Sequence, residues 1–389
     1  MQTRSSTRRV YLDYNSTAPC RPEARRAFLR AARTCWGNSS SASLEGRAAR
    51  CMLEETRLTV ARLLGAQPDE IYFTSGGTES NNMAIQGFAF SHPFDHQHII
   101  VSAIEHHSVL KTAKAMESRG IRVTILGCTT EGVIEPGTLE TAMDTDTTMV
   151  SCMLVNNEVG SIQPVTALSR CARQAGACIH TDAVQAIGRI PIDVRALDVD
   201  MMTLSAHKIG APKGVGLLYL RRGIEYLPLF YGGPQERNRR PGTENVPAIA
   251  AFGTALTLAV EQQPAEQIRL RELRNSLWNG IRAECPGVIT NGDPALSVTN
   301  TLNIAFDGVA GESLMMALDG EGVSVSTGAA CSVGATSPSH VLEAMCCGRS
   351  RCRASIRFSL GYATTTGEIE AVLEILPRVI ARIRAVKAP

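Results

Sequence analysis

The 389 residues are 44% hydrophobic and 20% charged, an ordinary globular composition with enough chain for one large core and a smaller lobe, which excludes disordered and fibrous classes. The 39 Lys and Arg against 37 Asp and Glu leave a formal net charge of +2, no footprint for direct binding of nucleic acid or for an anionic membrane surface. No run approaches the roughly eighteen apolar residues of a membrane-spanning helix, and twelve scattered cysteines without a secretory leader read as reduced thiols of a cytoplasmic protein rather than a disulfide framework.

The opening MQTRSSTRRV is rich in Arg and Ser, but strand-like sequence begins at Val10, too early for a transit peptide, and the stretch reads as a frayed leader. From about residue 55 to 225, short apolar runs alternate with amphipathic stretches, the pattern of a mostly parallel sheet covered by helices. Seven runs are strand candidates: Glu70–Thr74, His98–Val101, Ile121–Ile125, Met149–Val155, Cys178–Thr181, Met201–Leu204 and Gly216–Leu220. Polar residues cluster just after each, where open α/β sheets bind ligands. A Pro- and Gly-rich passage from Tyr231 to Thr243 leads into a helical pattern from Pro247 to about Ala283. Beyond it, Thr301–Phe306 and Ser355–Ser359 are strand-like and the last helix is charged and apolar-periodic. The expected organisation is a large domain over 21–262, a small α+β domain over 263–389, and an N-terminal segment, 1–20, that joins the small domain.

Five groups at strand ends point to one chemistry. Lys208, in Ser205-Ala206-His207-Lys208, directly follows a buried strand, where a lysine can form a Schiff base with an aldehyde cofactor; alone it would be a solvated surface residue, because ammonium groups are seldom buried. Asp182 ends the preceding strand and either holds a pyridinium nitrogen protonated or caps a helix. Gly76-Gly77-Thr78-Glu79-Ser80 opens a helix and offers backbone N–H groups, the Thr78 hydroxyl and a helix dipole to a phosphate, although a glycine pair at such a turn is common. His106, in Glu105-His106-His107-Ser108, can stack on an aromatic cofactor and relay protons near neutral pH, or lie on the surface. Asn157, in Asn156-Asn157-Glu158-Val159-Gly160, offers an amide to a phenolic oxygen or forms a plain turn. Their common position argues for one pyridoxal-type cofactor rather than five unrelated turns.

The segments YLDYNSTAP, GNSSS, FTSGGTESNN, EHHSV, VNNEVGSIQPV, HTDAVQAIGRIPIDV, SAHKIGAPKGVGLLY, GGPQERNRRPGTENV, STGAACSVGATSPSHVL and SIRFSLG carry a resemblance over nearly the whole chain. The chain resembles the NifS/IscS-type cysteine desulfurases, of the class V aminotransferase family. That resemblance implies an α/β protein of the fold-type I transferases that depend on pyridoxal 5′-phosphate (PLP), with a mostly parallel seven-stranded sheet covered by helices and a smaller α+β domain. It implies that Lys208 bears the cofactor, Asp182 pairs with the pyridine nitrogen, and Gln185 and Asn157 contact the phenolic oxygen. Gly77, Thr78, Ser205 and His207 would hold the phosphate, His106 would stack on the ring and relay protons, and Thr243 would reach the phosphate from the second subunit of an obligate homodimer. Arg357, helped by Asn157, would bind the substrate carboxylate.

Cys331 lies in a stretch of small residues with little to pack, so an exposed loop over 326–338 is expected rather than core. By the resemblance it takes sulfur from L-cysteine as a persulfide, leaving L-alanine, and passes it to a protein acceptor such as an iron–sulfur scaffold or a sulfur carrier. Cluster assembly, tRNA or cofactor thiolation and DNA phosphorothioation are all open as destinations. The family usually has Pro where Ser39 stands and a histidine near Ser43. Cys346, Cys347 and Cys352 match no structural zinc spacing and read as spare surface thiols, so no metal site is expected. Two rivals stay open: another enzyme of the same fold, such as a selenocysteine lyase or aminotransferase, which does not need Cys331, and a non-catalytic scaffold.

Overall fold

The computed structural model describes residues 9–327 and 338–387. A short strand, β1 (Val10–Tyr11), comes first. Seven strands then share one sheet: β2 (Ile71–Thr74), β3 (His98–Ser102), β4 (Arg122–Leu126), β5 (Thr147–Ser151), β6 (Cys178–Asp182), β7 (Met201–Ser205) and β8 (Gly216–Leu220), in the order β2-β8-β7-β6-β5-β3-β4. β8 runs antiparallel to β2 and β7, and every other pairing is parallel. This is the mostly parallel sheet the apolar runs predict.

The runs are continuous because the sheet is covered on both faces. Ile71, Phe73, Ile100, Val150, Ile179, Met202 and Leu204 pack into one core with Leu64, Leu168 and Phe252 from the helices Leu44–Leu64, Val165–Gln174 and Val246–Glu284. Their alternate neighbours Tyr72, Ile99, Val101, Met149, Met201 and Leu218 pack into a second core, against Met83 and Phe88 of the helix Gly77–Ala89 and Val109 and Met116 of His107–Glu117. That is the two-residue period of a strand seen from both sides. The expected run Met149–Val155 differs from the structure: β5 ends at Ser151, although Cys152 and Leu154 still donate their backbone N–H groups to the His180 and Asp182 carbonyls. Cys152–Val155 stay buried past the end of the strand, so hydrophobicity does not mark where it stops.

The helix Val246–Glu284 serves two cores. Its first half, through Ala259, packs on the large sheet, and Leu270, Leu273, Leu277 and Ile281 belong to another core built on the later strands. Those strands are β9 (Val288–Thr290), β10 (Thr301–Phe306), β11 (Val323–Ser324) and β12 (Ser355–Ser359). An antiparallel sheet runs β12-β10-β9, and β1 pairs in parallel with β11, so Val10 and Leu12 pack in this second lobe. The Pro- and Gly-rich passage is pinned from within by Glu236, which has a φ of 44°. Its buried carboxylate takes two hydrogen bonds from the Arg57 guanidinium, at 2.8 and 2.7 Å, and one from the Phe73 N–H at 2.8 Å. Among the described residues, no helix is long and apolar enough to cross a membrane.

Candidate active site

A cavity of about 370 Å³ opens where the carboxyl ends of β2, β3, β5, β6 and β7 meet β12. Gly77, Thr78, His106, Asn157, Asp182, Gln185, Ser205, His207, Lys208 and Arg357 all line it. Thr243 is exposed and does not line this chain's cavity. Cys331 lies outside the described residues.

Lys208 follows β7 in a single 3₁₀ turn, Ala206–Ile209, closed by Gly210 at a φ of +84°. Glycine is required there for space as well, because a Cβ would stand 2.7 Å from Arg21 Cγ and 3.0 Å from the Pro19 carbonyl oxygen. Lys208 Nζ donates to the backbone carbonyls of Asn15 and Ser16, at 2.6 and 2.7 Å. Asp182 ends β6 and is buried. Its Oδ1 accepts from the Val184 N–H at 2.9 Å, a bond that holds a turn rather than the helix start of the capping reading, while Oδ2 accepts from Asn81 Nδ2 at 2.7 Å.

The same Asn81 amide donates to Ser108 Oγ at 2.8 Å. His106 caps the helix His107–Glu117 by accepting the Ser108 N–H on Nδ1, and Ser108 Oγ stands 2.8 Å from that nitrogen. With Asn81 donating to it, the serine hydroxyl turns its own hydrogen to Nδ1, so the ring proton of His106 sits on Nε2. Burial lowers the proton affinity of His106; the Asp182 charge opposes this, and Lys208 and His340 reinforce it. Burial and the contacts on Nδ1 thus both favour the neutral ring with its proton on Nε2. His207 is pushed down to about 4 by burial and the nearby Lys208 and Lys213 charges, and its Nδ1 meets Thr17 Oγ1 at 3.0 Å.

Arg357 sits in the middle of β12, with its side chain 2% exposed. Nη1 donates to the Asn157 carbonyl at 2.8 Å, and Nη2 to Asp13 Oδ1 and Ser16 Oγ, both at 2.8 Å. Gln185 Nε2 donates to the Asn15 carbonyl at 2.9 Å, and its Oε1 accepts from Arg189. Glu105, next to His106, is fully buried: burial pushes its carboxyl up to about 8, with Ser102 and the Met153 N–H opposing and Asp182 reinforcing. Sequence reasoning missed Asp13, Asn15, Ser16, Asn81 and Ser108. All five stand inside the quoted motifs, and the polar pair Ser80-Asn81 on the buried side of an otherwise apolar helix face was the available signal.

The reading of Cys346, Cys347 and Cys352 as surface thiols needs correction. Cys352 is buried with Val341, Leu342 and Met345, Cys347 is half-buried beside them, and Cys346 is exposed at a φ of +57°. Cys128 packs into the same cluster, where burial pushes its thiol up to about 11. Among the described residues, no three His, Cys, Asp or Glu side chains stand where they can hold a metal ion. Ser39 donates to Glu244 Oε2 at 2.5 Å, and Ser43 caps the helix Leu44–Leu64 by accepting the Gly46 N–H at 3.2 Å.

The chain belongs to the class-V aminotransferase family, fold-type I enzymes that work with PLP, and the family model matches residues 10–372. The cysteine desulfurase IscS of Dictyoglomus turgidum is 44% identical over 379 residues, spanning 97% of this chain and 96% of that protein. Among solved structures, a NIFS-like protein superposes with a TM-score of 0.91 at 35% identity, covering 96% of this chain and 100% of that one. SspA in complex with cysteine superposes with a TM-score of 0.80 at 32% identity, covering 90% of this chain and 98% of its own.

The cavity fits the cofactor. Asn81 Oδ1, Asn157 Oδ1 and Arg357 Nε are buried polar atoms without a hydrogen-bond partner among the described residues, a pattern that marks a missing polar ligand. The Gly77 and Thr78 N–H groups belong to the first turn of the helix that also carries Asn81, where they have no acceptors of their own and favour an anion. A Cβ on Gly77 would stand 3.0 Å from Val184 Cγ2, so that helix start lies close against the turn after Asp182.

Proposed function

We propose that the chain is a cytoplasmic, homodimeric cysteine desulfurase that uses PLP to convert L-cysteine to L-alanine, storing the sulfur as a persulfide on Cys331 until a protein acceptor takes it. The observation that carries this reading is the meeting of Lys208, Asp182, His106 and Arg357 at one cavity. The likeness to proteins named cysteine desulfurase, and to one solved with cysteine, supports it. The domains are assigned as 21–262 and 263–389, with 1–20 joined to the second.

When bound, the cofactor supplies an aldehyde carbon for an amine and a ring that draws electrons from the substrate's Cα. Gly77, Thr78, Ser205 and His207 would hold its phosphate, with Thr243 contributed by the other subunit. Asp182 would keep the ring nitrogen protonated, His106 would lie on the ring face, and Asn157 and Gln185 would meet the phenolic oxygen. Arg357 and Asn157 take the substrate carboxylate, which fixes the Cα–H bond relative to Lys208. Lys208, as the free amine, removes that proton. Cys331 attacks the substrate sulfur as a thiolate, and an unperturbed thiol titrates only near pH 8.5, so His106 serves as the relay that takes and returns protons. An S–S bond forms as the C–S bond breaks, the electron pair stays on the carbon that becomes the alanine methyl, and a proton completes it.

The test is purified protein mixed with L-cysteine and a reductant, with sulfide and alanine quantified for wild type and Cys331→Ala. Equal sulfide and alanine from wild type, with sulfide lost in the variant while the yellow cofactor remains, is the expected result. A variant as active as wild type would favour another enzyme of the same fold, and a colourless, inactive protein would favour a scaffold.

A further inference from the structure

A cation buried as deeply as Arg357 needs a counter-charge before any substrate arrives. Asp13 supplies it. Its Oδ1 accepts from Arg357 Nη2 at 2.8 Å, Ser16 Oγ accepts from the same nitrogen at 2.8 Å, and Ser16 Oγ donates to Asp13 Oδ1 at 2.9 Å, closing a triangle. The backbone holds that carboxylate in place. Tyr11 donates its hydroxyl to the Asp13 carbonyl at 3.1 Å, and the Tyr14 N–H donates to the Ser359 carbonyl at 3.1 Å, two residues along β12 from Arg357. The guanidinium keeps its Nε–H without a partner among the described residues.

We propose that Asp13 is a resident counter-ion and positioning residue that sets how tightly Arg357 grips an α-carboxylate. The inference rests on the reading of Arg357 as the carboxylate anchor. An incoming carboxylate meets a guanidinium already compensated by Asp13, together with the repulsion of that second carboxylate. Substrate and product carry the same α-carboxylate, so a restrained grip lets L-alanine leave. Removing the Asp13 charge destabilises the free enzyme more than the occupied one, because the ligand then supplies the missing anion; carboxylate ligands should bind tighter.

The experiment uses the PLP-loaded enzyme, wild type against Asp13→Asn, which keeps the acceptor oxygen and loses the charge. L-Alanine binding is measured by titration calorimetry, KM and kcat with L-cysteine, and binding of cysteamine, which lacks the carboxylate, as the control. The L-alanine dissociation constant and the KM for L-cysteine are expected to fall together by roughly five- to twentyfold, with cysteamine unchanged. Asp13→Glu, which keeps the charge, should stay within about threefold of wild type. Unchanged or weaker L-alanine binding in Asp13→Asn, the same shift for cysteamine, or the same tightening in Asp13→Glu would overturn the proposal. Wild-type enzyme that binds cysteamine and L-alanine equally well would instead overturn the anchoring role of Arg357.

Discussion

Replacing Asp182 with Asn changes one buried atom and strains two contacts at once. The carboxylate accepts from the Val184 N–H at 2.9 Å and from Asn81 Nδ2 at 2.7 Å. An amide has one acceptor and one donor end, so whichever way the substituted side chain turns, its NH₂ faces one of those two N–H donors. A charge-assisted bond of about 1.5–3 kcal/mol is lost, and a buried donor left unsatisfied costs about 1–3 kcal/mol more, which local relaxation brings to roughly 2–4 kcal/mol of folding stability. A charge-assisted contact of the same size would be lost to the pyridinium nitrogen, which raises the PLP dissociation constant by about ten- to a hundredfold. PLP retention is read by absorbance during equilibrium dialysis, turnover by sulfide release at saturating PLP, and stability by urea denaturation without cofactor. An Asp182→Asn protein that holds PLP within about threefold of wild type and releases sulfide at a comparable rate would refute the pyridinium role. Lost stability alone, with PLP affinity intact, would leave Asp182 as the residue that holds the turn at Val184.

Glu105 titrates near 8 in the fold against an ordinary carboxyl near 4.5, so the folded protein binds a proton there that the unfolded chain releases. Its contribution is fully present below pH 4.5 and is lost as pH rises to about 8. Glu105→Gln should therefore remove that decline and be more stable than wild type by roughly 2–4 kcal/mol above pH 8, as urea midpoints across pH would register; a variant with the wild-type slope would contradict the assignment. Arg57→Leu leaves the buried Glu236 carboxylate without its cation and should cost about 3–5 kcal/mol by the same denaturation, with a loss under about 1 kcal/mol counting against the buried pair. Brief alkylation followed by peptide mapping should label exposed Cys346 and spare Cys152 and Cys178, whose thiols burial raises well above the ordinary range; rapid labelling of Cys178 in folded protein would contradict its place in β6.

The strands were legible because a strand buried on both faces writes itself as a short run without polar alternation, whether its pairing is parallel or antiparallel. Gly216–Leu220, Thr301–Phe306 and Ser355–Ser359 coincide with β8, β10 and β12. The strand start read at Val10 coincides with β1, whereas β9 and β11 were not legible, since strands of two or three residues show no period and exist only through their pairing partners. The site divides in the same way. Lys208, Asp182 and His106 could be found because each follows its own strand, and topology assigns that position to ligands. Asn81 and Asp13 act through partners 101 and 344 positions away, a relation no local pattern encodes. Cys352 shows the reverse error: Arg351 and Arg353 on either side suggest exposure, but the short helix Arg349–Arg353 turns the cysteine inward between them. Local pattern thus identified the groups whose chemistry follows from a strand end, while the counter-charge on Arg357 and the donor shared by Asp182 and Ser108 are products of the fold. Variants at Asp13 and Asn81 therefore test the three-dimensional site more directly than variants at Lys208.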